Sequence, residues 1–312
     1  MKKFYFKITL FIALIATILV ACEYLSVREP FRTWIAEWTD SESFITGNVG
    51  SDEIKPYISR VQTSDGTTKL LLGDSVGRQL YVGLQDYNED MAIVGSNAAI
   101  TMAGQYILAA EYIENHPDAT DIFLVVLPES LCRSFDTKWG YQYTVMPFVE
   151  TGTLGRLDQD TLDIMKSVYG EFFMKEDVVY KIDRSAINRK LYLNVLKEHS
   201  ESYVPKSKFA LAEQYLMKMY ELCNENGITM HLYACPLADN RVQEIEAMKR
   251  EYEETELYQI FPDFMDNIYY YPVEQAADGV HFSGDYANQE FYNEIIQKMY
   301  KGTALGDAAK LY

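Results

Sequence analysis

The stretch Thr68-Lys69-Leu70-Leu71-Leu72-Gly73-Asp74-Ser75-Val76-Gly77 decides the fold. A short apolar run that stops at a glycine has the pattern of a strand buried on both faces. A helical pattern over residues 76–87 follows at once. Further out, residues 91–94 form a second apolar run, closed by Gly95-Ser96-Asn97. Residues 101–115 have helical composition and end at Asn115-His116-Pro117. Residues 122–127, Ile-Phe-Leu-Val-Val-Leu, make the clearest strand, and Pro128 ends it. After an interruption the alternation resumes. A helix is expected over 207–224, a strand over 228–234, a helix over 240–252 and a weak last strand over 258–261. A final helix over 283–300 would be capped by Ser283 or Asp285. Short apolar strands separated by helices predict an α/β protein with a mostly parallel sheet covered on both faces.

The interruption, about 130–205, carries aromatics, prolines near its start and helical patterns over 159–174 and 185–199. It reads as a helical insertion. Within it Trp139, Tyr141 and Tyr143 alternate, as side chains do along a half-buried strand. Such aromatics pack cores or stack on sugar rings.

The N-terminus reads as an address. Lys2, Lys3 and Lys7 precede an uncharged apolar stretch from Ile8 to Ala21. Fourteen residues reach roughly 21 Å, short of a ~30 Å hydrocarbon core, but counted from Phe4 the stretch can span. Two readings stand: an uncleaved membrane anchor, or a lipoprotein signal in which Leu19-Val20-Ala21-Cys22 resembles a lipobox and Cys22 is lipidated. Both place the rest of the chain outside the cytoplasmic membrane, attached through the N-terminus only. The organisation expected is therefore an anchor over 1–22, a polar stalk over 23–65 and one α/β domain over 66–312. Within the stalk, Phe31, Trp34, Ile35 and Trp38 would pack onto the domain.

Composition excludes several functions. The chain has 312 residues, 48% hydrophobic and 24% charged, so it is an ordinary globular protein and not a disordered or fibrous one. With 28 Lys and Arg against 46 Asp and Glu, the net charge is −18. Nucleic acid is excluded as a partner, because phosphate binding needs a basic face. The same charge offers nothing to an anionic membrane surface and favours a neutral glycan over a polyanionic one. The four cysteines are too scattered for a disulfide scaffold or a metal site, and neither metal nor cofactor is expected.

Two places concentrate chemistry. Ser75 lies between glycines at a strand-to-helix turn, where backbone can approach closely and helix N–H groups face the hydroxyl. Serine needs a base to act as a nucleophile. Asp278-Gly279-Val280-His281, just before the last helix, can present a carboxylate and an imidazole to one site. His281 would serve as base and Asp278 would hold its other ring nitrogen. Gly73-Asp74-Ser75-Val76-Gly77 also fits the nucleophile elbow of α/β-hydrolases. That fold builds several strands before its nucleophile and separates acid from histidine, unlike this chain.

A Gly-Asp-Ser block after the first strand and an Asp-x-x-His block near the C-terminus resemble the SGNH (GDSL) hydrolase superfamily. The resemblance covers residues 66–129 and 226–300. It implies a three-layer α/β/α sandwich of flavodoxin-like type, with Ser75, His281 and Asp278 as a catalytic triad. The second block, an oxyanion glycine, maps loosely to Gly104, with Asn97 as its rival. The third, Gly-x-Asn-Asp, is absent: Leu127-Pro128-Glu129-Ser130 stands there. The anchor, the altered third block and the insertion are similar to the membrane-attached, envelope-modifying branch, DltD-like or AlgJ/AlgX-like. Proteins of that branch work beside a membrane-bound O-acyltransferase.

The expected function is therefore a cell-surface serine esterase or O-acyltransferase acting on acyl, above all acetyl, groups of an envelope polysaccharide. The alternative is a non-catalytic SGNH-like glycan-binding or assembly protein. Arg78, Arg133, Glu129 and Tyr271 are the residues near the expected active edge that could touch substrate. His116 is expected at a helix end as a cap or surface residue, and His231 within a strand.

Overall fold

In a computed structural model, the described residues are 2–26, 51–96, 100–137, 139–184, 186–199, 203 and 205–311. The chain runs as α1 (Lys2–Ser26), α2 (Ser51–Gln62), β1 (Lys69–Gly73), α3 (Ser75–Tyr81), β2 (Met91–Gly95), α4 (Met102–Asn115) and β3 (Asp121–Val126). A π-helical turn (Tyr141–Val145) then leads into α5 (Met146–Glu150), α6 (Gln159–Tyr169), α7 (Glu176–Arg184) and α8 (Ala186–His199). Next come α9 (Ala210–Glu225), β4 (Thr229–Ala234), β5 (Leu237–Ala238), α10 (Val242–Tyr252) and α11 (Glu256–Ile260). Last are β6 (Tyr270–Tyr271), α12 (Gln289–Tyr300) and α13 (Ala304–Ala308).

Strands β1–β4 pair in parallel in the order β2-β1-β3-β4. The pleat sends successive side chains to opposite faces. Leu70 and Leu72 face a layer formed by α2, α4, α9 and the inserted helices. Leu71, between them, faces a second layer formed by α3, α10, α12 and α13. Both faces of β1 are thus buried, which is why its sequence shows no alternation. The result is an α/β fold with helices on each side of a parallel sheet, compatible with an α/β/α sandwich.

Several elements depart from the sequence reading. Residues 51–62, expected as irregular stalk, are helical despite Pro56, and their Ile54, Ile58 and Val61 are fully buried against α4. The i, i+4, i+7 spacing of those three was the overlooked signal. The aromatic stretch at Phe31, Trp34, Ile35 and Trp38 lies outside the described residues. The expected strand over 258–261 is instead helix α11 with Leu257 buried, because so short an apolar run has no decisive period. The late strand is β6, which pairs in parallel with β5. The helix expected over 283–300 starts at Gln289, and the short α13 follows it. Asn288, not Ser283 or Asp285, caps it by accepting from the Phe291 N–H at 3.0 Å. Trp139, Tyr141 and Tyr143 do not alternate on a strand. Tyr141 and Tyr143 lie in the π-helical turn, and Trp139 stacks on Tyr143 at 5.6 Å. The pattern over 159–174 breaks at Gly170, and α7 was not foreseen.

The N-terminal helix is longer than the apolar count suggested. Lys3–Cys22 gives 20 residues, enough by length and composition to cross a membrane. Cys22 sits inside this continuous helix.

Candidate active site

β1 ends at Gly73 and α3 starts at Ser75, so the turn between them is one residue long. Only glycine fits on either side of it. A Cβ on Gly77 would stand 2.6 Å from the Val125 carbonyl oxygen, and one on Gly73 2.9 Å from the same atom. The helix therefore presses on the neighbouring strand and fixes the height of Ser75.

Asp74 fastens this turn. Its carboxylate is 3% exposed and accepts from the N–H groups of Val76 (3.1 Å), Gly77 (3.3 Å) and Leu127 (2.6 Å). It also accepts from the Ser130 hydroxyl (2.7 Å) and, more weakly, from the Cys235 thiol (3.7 Å). One side chain thereby ties together the C-terminal ends of β1, β3 and β4. It lay within the quoted motif, but nothing in a linear sequence shows that its partners arrive from three strands. The remaining helix-start donor, the Ser75 N–H, has no intrahelical acceptor.

The second half of the site is a loop. Asp278 Oδ1 accepts from the N–H groups of Val280 (3.0 Å) and His281 (2.8 Å), and Gly279 takes φ 81° to make that turn. A residue with a Cβ is strained there. The Tyr271 hydroxyl donates to the Val280 carbonyl at 3.1 Å, and the Phe282 N–H donates to Gln79 of α3 at 3.3 Å. The loop is thus braced from β6 and from the serine's own helix.

These two halves meet. His281 Nε2 is 2.7 Å from Ser75 Oγ, across 206 positions of sequence, and Nδ1 is 2.8 Å from Asp278 Oδ2. With the proton on Nδ1 donated to the carboxylate, Nε2 accepts from the hydroxyl. Burial alone would raise the Asp278 pKa. The hydrogen bonds from His281 and Val280 outweigh it and hold the carboxyl below its ordinary value. The Asp278 side chain is 57% exposed, so water competes for it.

Other expected residues fall differently. Gly104 is buried in the first turn of α4, and its N–H donates to the capping hydroxyl of Thr101 at 3.4 Å. That donor is spoken for, so Gly104 is not placed as an oxyanion donor. Asn97 lies outside the described residues. Tyr271 is fully buried with its hydroxyl on the loop, so it braces the site and does not touch substrate. Glu129 is not a solvated carboxylate: Oε1 accepts from Arg241 at 3.2 Å, while Oε2 is buried without a partner. Arg78 Nε, Arg133 Nη1 and Ser134 Oγ are likewise buried and unpaired. His116 caps the C-terminus of α4, as expected at a helix end, and is 3% exposed, so it is not a surface residue. His231 faces Asp121 at 2.9 Å. Cys132 and Cys223 are pushed up by burial to about 11 and about 12, and Cys235 is raised too, so these thiols stay protonated.

The insertion reaches the same end of the sheet. The Thr144 hydroxyl is 3.0 Å from that of Thr101, whose helix also sends Gln105 to the Gly73 carbonyl at 3.3 Å. The π-helical turn is therefore pinned beside the serine strand, with Trp139 partly exposed at its start.

Fold and site together define an α/β protein with a Ser-His-Asp relay at the C-terminal end of a parallel sheet, where open α/β sheets bind ligands. No protein-family model matches the chain, and no curated protein matches it.

Proposed function

We propose that the protein is a membrane-anchored serine esterase or O-acyltransferase of the SGNH type, working outside the cytoplasmic membrane on acylated envelope polysaccharide. The observation that carries this reading is the continuous hydrogen-bond relay Asp278–His281–Ser75. Ser75 Oγ attacks the acyl carbonyl carbon while its proton passes to His281 Nε2. Asp278 keeps the imidazole in the accepting tautomer and stabilises the imidazolium. The tetrahedral intermediate collapses, the leaving alkoxide takes the proton from Nε2, and the acyl group remains on Ser75. Water or a glycan hydroxyl then attacks the ester, giving its proton to His281, and Ser75 is restored. The half-buried Arg78 and Arg133 are the cations assigned to substrate oxygens, and the part-exposed Trp139 the ring assigned to a sugar. A membrane-bound O-acyltransferase would be the partner that delivers the acyl group.

The test is labelling of the full chain by a fluorophosphonate, with turnover of an aryl acetate. The wild type should label at Ser75 and release the phenol, and Ser75→Ala should do neither. Full activity in Ser75→Ala would overturn the reading.

A second reading has its own support. The Gly104 N–H is already engaged and Glu129 brings a carboxylate where the superfamily has an asparagine. A non-catalytic glycan-binding protein would tolerate both. It predicts oligosaccharide binding with no fluorophosphonate labelling.

A further inference from the structure

The inserted helices break the charge pattern of the protein. α7 and α8 with the residue between them carry five Lys or Arg against four Asp or Glu, and Lys175, Lys206 and Lys208 flank them, in a chain of net charge −18. Arg189 is spent on Asp183 and Lys208 on Glu251. Lys175, Lys181, Lys197 and Lys206 are exposed. The same region exposes large apolar side chains: Phe172 at 50%, Tyr180 at 50%, Leu191 at 58% and Val195 at 45%. Leu191 and Val195 are four apart in α8, so they share one helix face, opposite the buried Leu193 and Leu196 side. Phe172 adds to it through a stacked contact with Tyr192 at 6.2 Å.

Position supplies the occupant. α8 lies against α1, the one described helix long and apolar enough to cross a membrane. Leu191 and Val195 stay exposed with α1 in place. A helix with apolar and aromatic residues on one side, flanked by lysines, is what settles at the boundary between headgroups and acyl chains. The lysines meet the headgroups while their stems cover apolar surface.

We infer that the α7–α8 pair is a membrane-surface foot: Tyr180, Leu191 and Val195 enter the outer boundary of the bilayer that α1 spans, and the surrounding lysines bind anionic lipid headgroups. The whole-chain charge hides this, because the acidic remainder dominates the sum while the Debye length confines each patch to its own surroundings. Each exposed lysine brought to the surface favours an anionic over a neutral membrane by about fivefold. The foot holds the soluble domain to the membrane at a second point and so sets its tilt. It does not depend on Ser75 being catalytic.

The experiment uses the full chain in lipid nanodiscs, with Cys22→Ser and Cys132→Ser removing the more accessible thiols. A nitroxide is placed at Leu191→Cys, at Val195→Cys or, as a control on α12, at Glu290→Cys. Collision with oxygen, which concentrates in lipid, is compared with collision with a water-soluble nickel chelate. In discs containing phosphatidylglycerol, positions 191 and 195 should favour oxygen and position 290 the chelate. Lys181→Glu/Lys197→Glu should return 191 to the chelate-accessible state, with an unchanged melting curve showing that the domain is folded. Chelate access at 191 equal to that at 290 would overturn the inference. So would shielding from both reagents, which means that protein covers the face, or equal lipid contact in phosphatidylcholine discs and after charge reversal.

Discussion

Two ends of one sheet carry the same pair of residue types and do different things with them. At the C-terminal end, His281 sits between Asp278 and the Ser75 hydroxyl, with its side chain 35% exposed. At the N-terminal end, His116 sits between Asp65 (3.3 Å) and the Tyr112 carbonyl (3.0 Å), with its side chain 1% exposed. Its ring also stacks on Tyr112 at 4.0 Å. A histidine beside a carboxylate is therefore no sign of catalysis by itself. The third group decides: a hydroxyl can give up its proton and attack, whereas a carbonyl can only accept. Access decides as well, because His116 has no open face for a substrate.

Variants can break this contrast. The largest effect is expected from His281→Ala, which should lower ester turnover about 10³- to 10⁴-fold by removing the base. The melting curve should barely move, since the ring is partly exposed. Asp74→Ala should come next, costing about 3–5 kcal/mol in chemical denaturation, because five buried donors lose one shared acceptor. Turnover should fall with it, as Ser75 loses its fixed height. Asp278→Asn should cost only about ten- to a hundredfold in turnover, less than for a buried triad carboxylate, since water already solvates this one. His116→Ala should leave turnover intact and cost about 2 kcal/mol of stability, the signature of a packed and bonded core group. Turnover lost in His116→Ala and kept in His281→Ala would invert the assignment of the two ends.

Acid sharpens the comparison on a smaller scale. Asp65 feels desolvation that raises its pKa, overcome by hydrogen bonds from Thr67 and by Arg60, so its carboxyl ends below 3.8. Asp278 is lowered in the same sense. A carboxyl lowered on folding contributes its full stabilisation above the unfolded value and loses it as pH falls through the folded one. Thermal stability should therefore be flat above about pH 5 and fall below pH 4. Asp65→Asn should flatten that acid limb, which a series of melting curves against pH can read.

Much of the fold was legible in the chain because buried parallel strands are short apolar runs with sharp ends. Residues 69–73, 91–95 and 121–126 announce themselves that way, and 229–234, at the sheet edge, by alternation. Marginal segments were not legible. Residues 256–260 have too few apolar positions for a period, and Pro56 disguised a helix whose apolar stripe nonetheless packs against α4. At the site, Ser75, Asp278 and His281 could be named from local motifs. The role of Asp74 could not, because Leu127, Ser130 and Cys235 reach it only after the strands align. Gly104 and Tyr271 were misplaced for the mirror reason: a residue's type is written in the sequence, but the partner that consumes its hydrogen bond is not.

By itself the sequence determined an apolar N-terminal helix, a parallel α/β core and the residue types able to perform acyl chemistry. These follow from hydrophobic patterning and from intrinsic side-chain chemistry, both local properties. Only the tertiary structure decided that a hydroxyl and an imidazole 206 positions apart stand 2.7 Å from each other. It also set α8 of the inserted helices against α1. Distances between remote residues come from how strands register and helices pack, and no short stretch of chain encodes them alone.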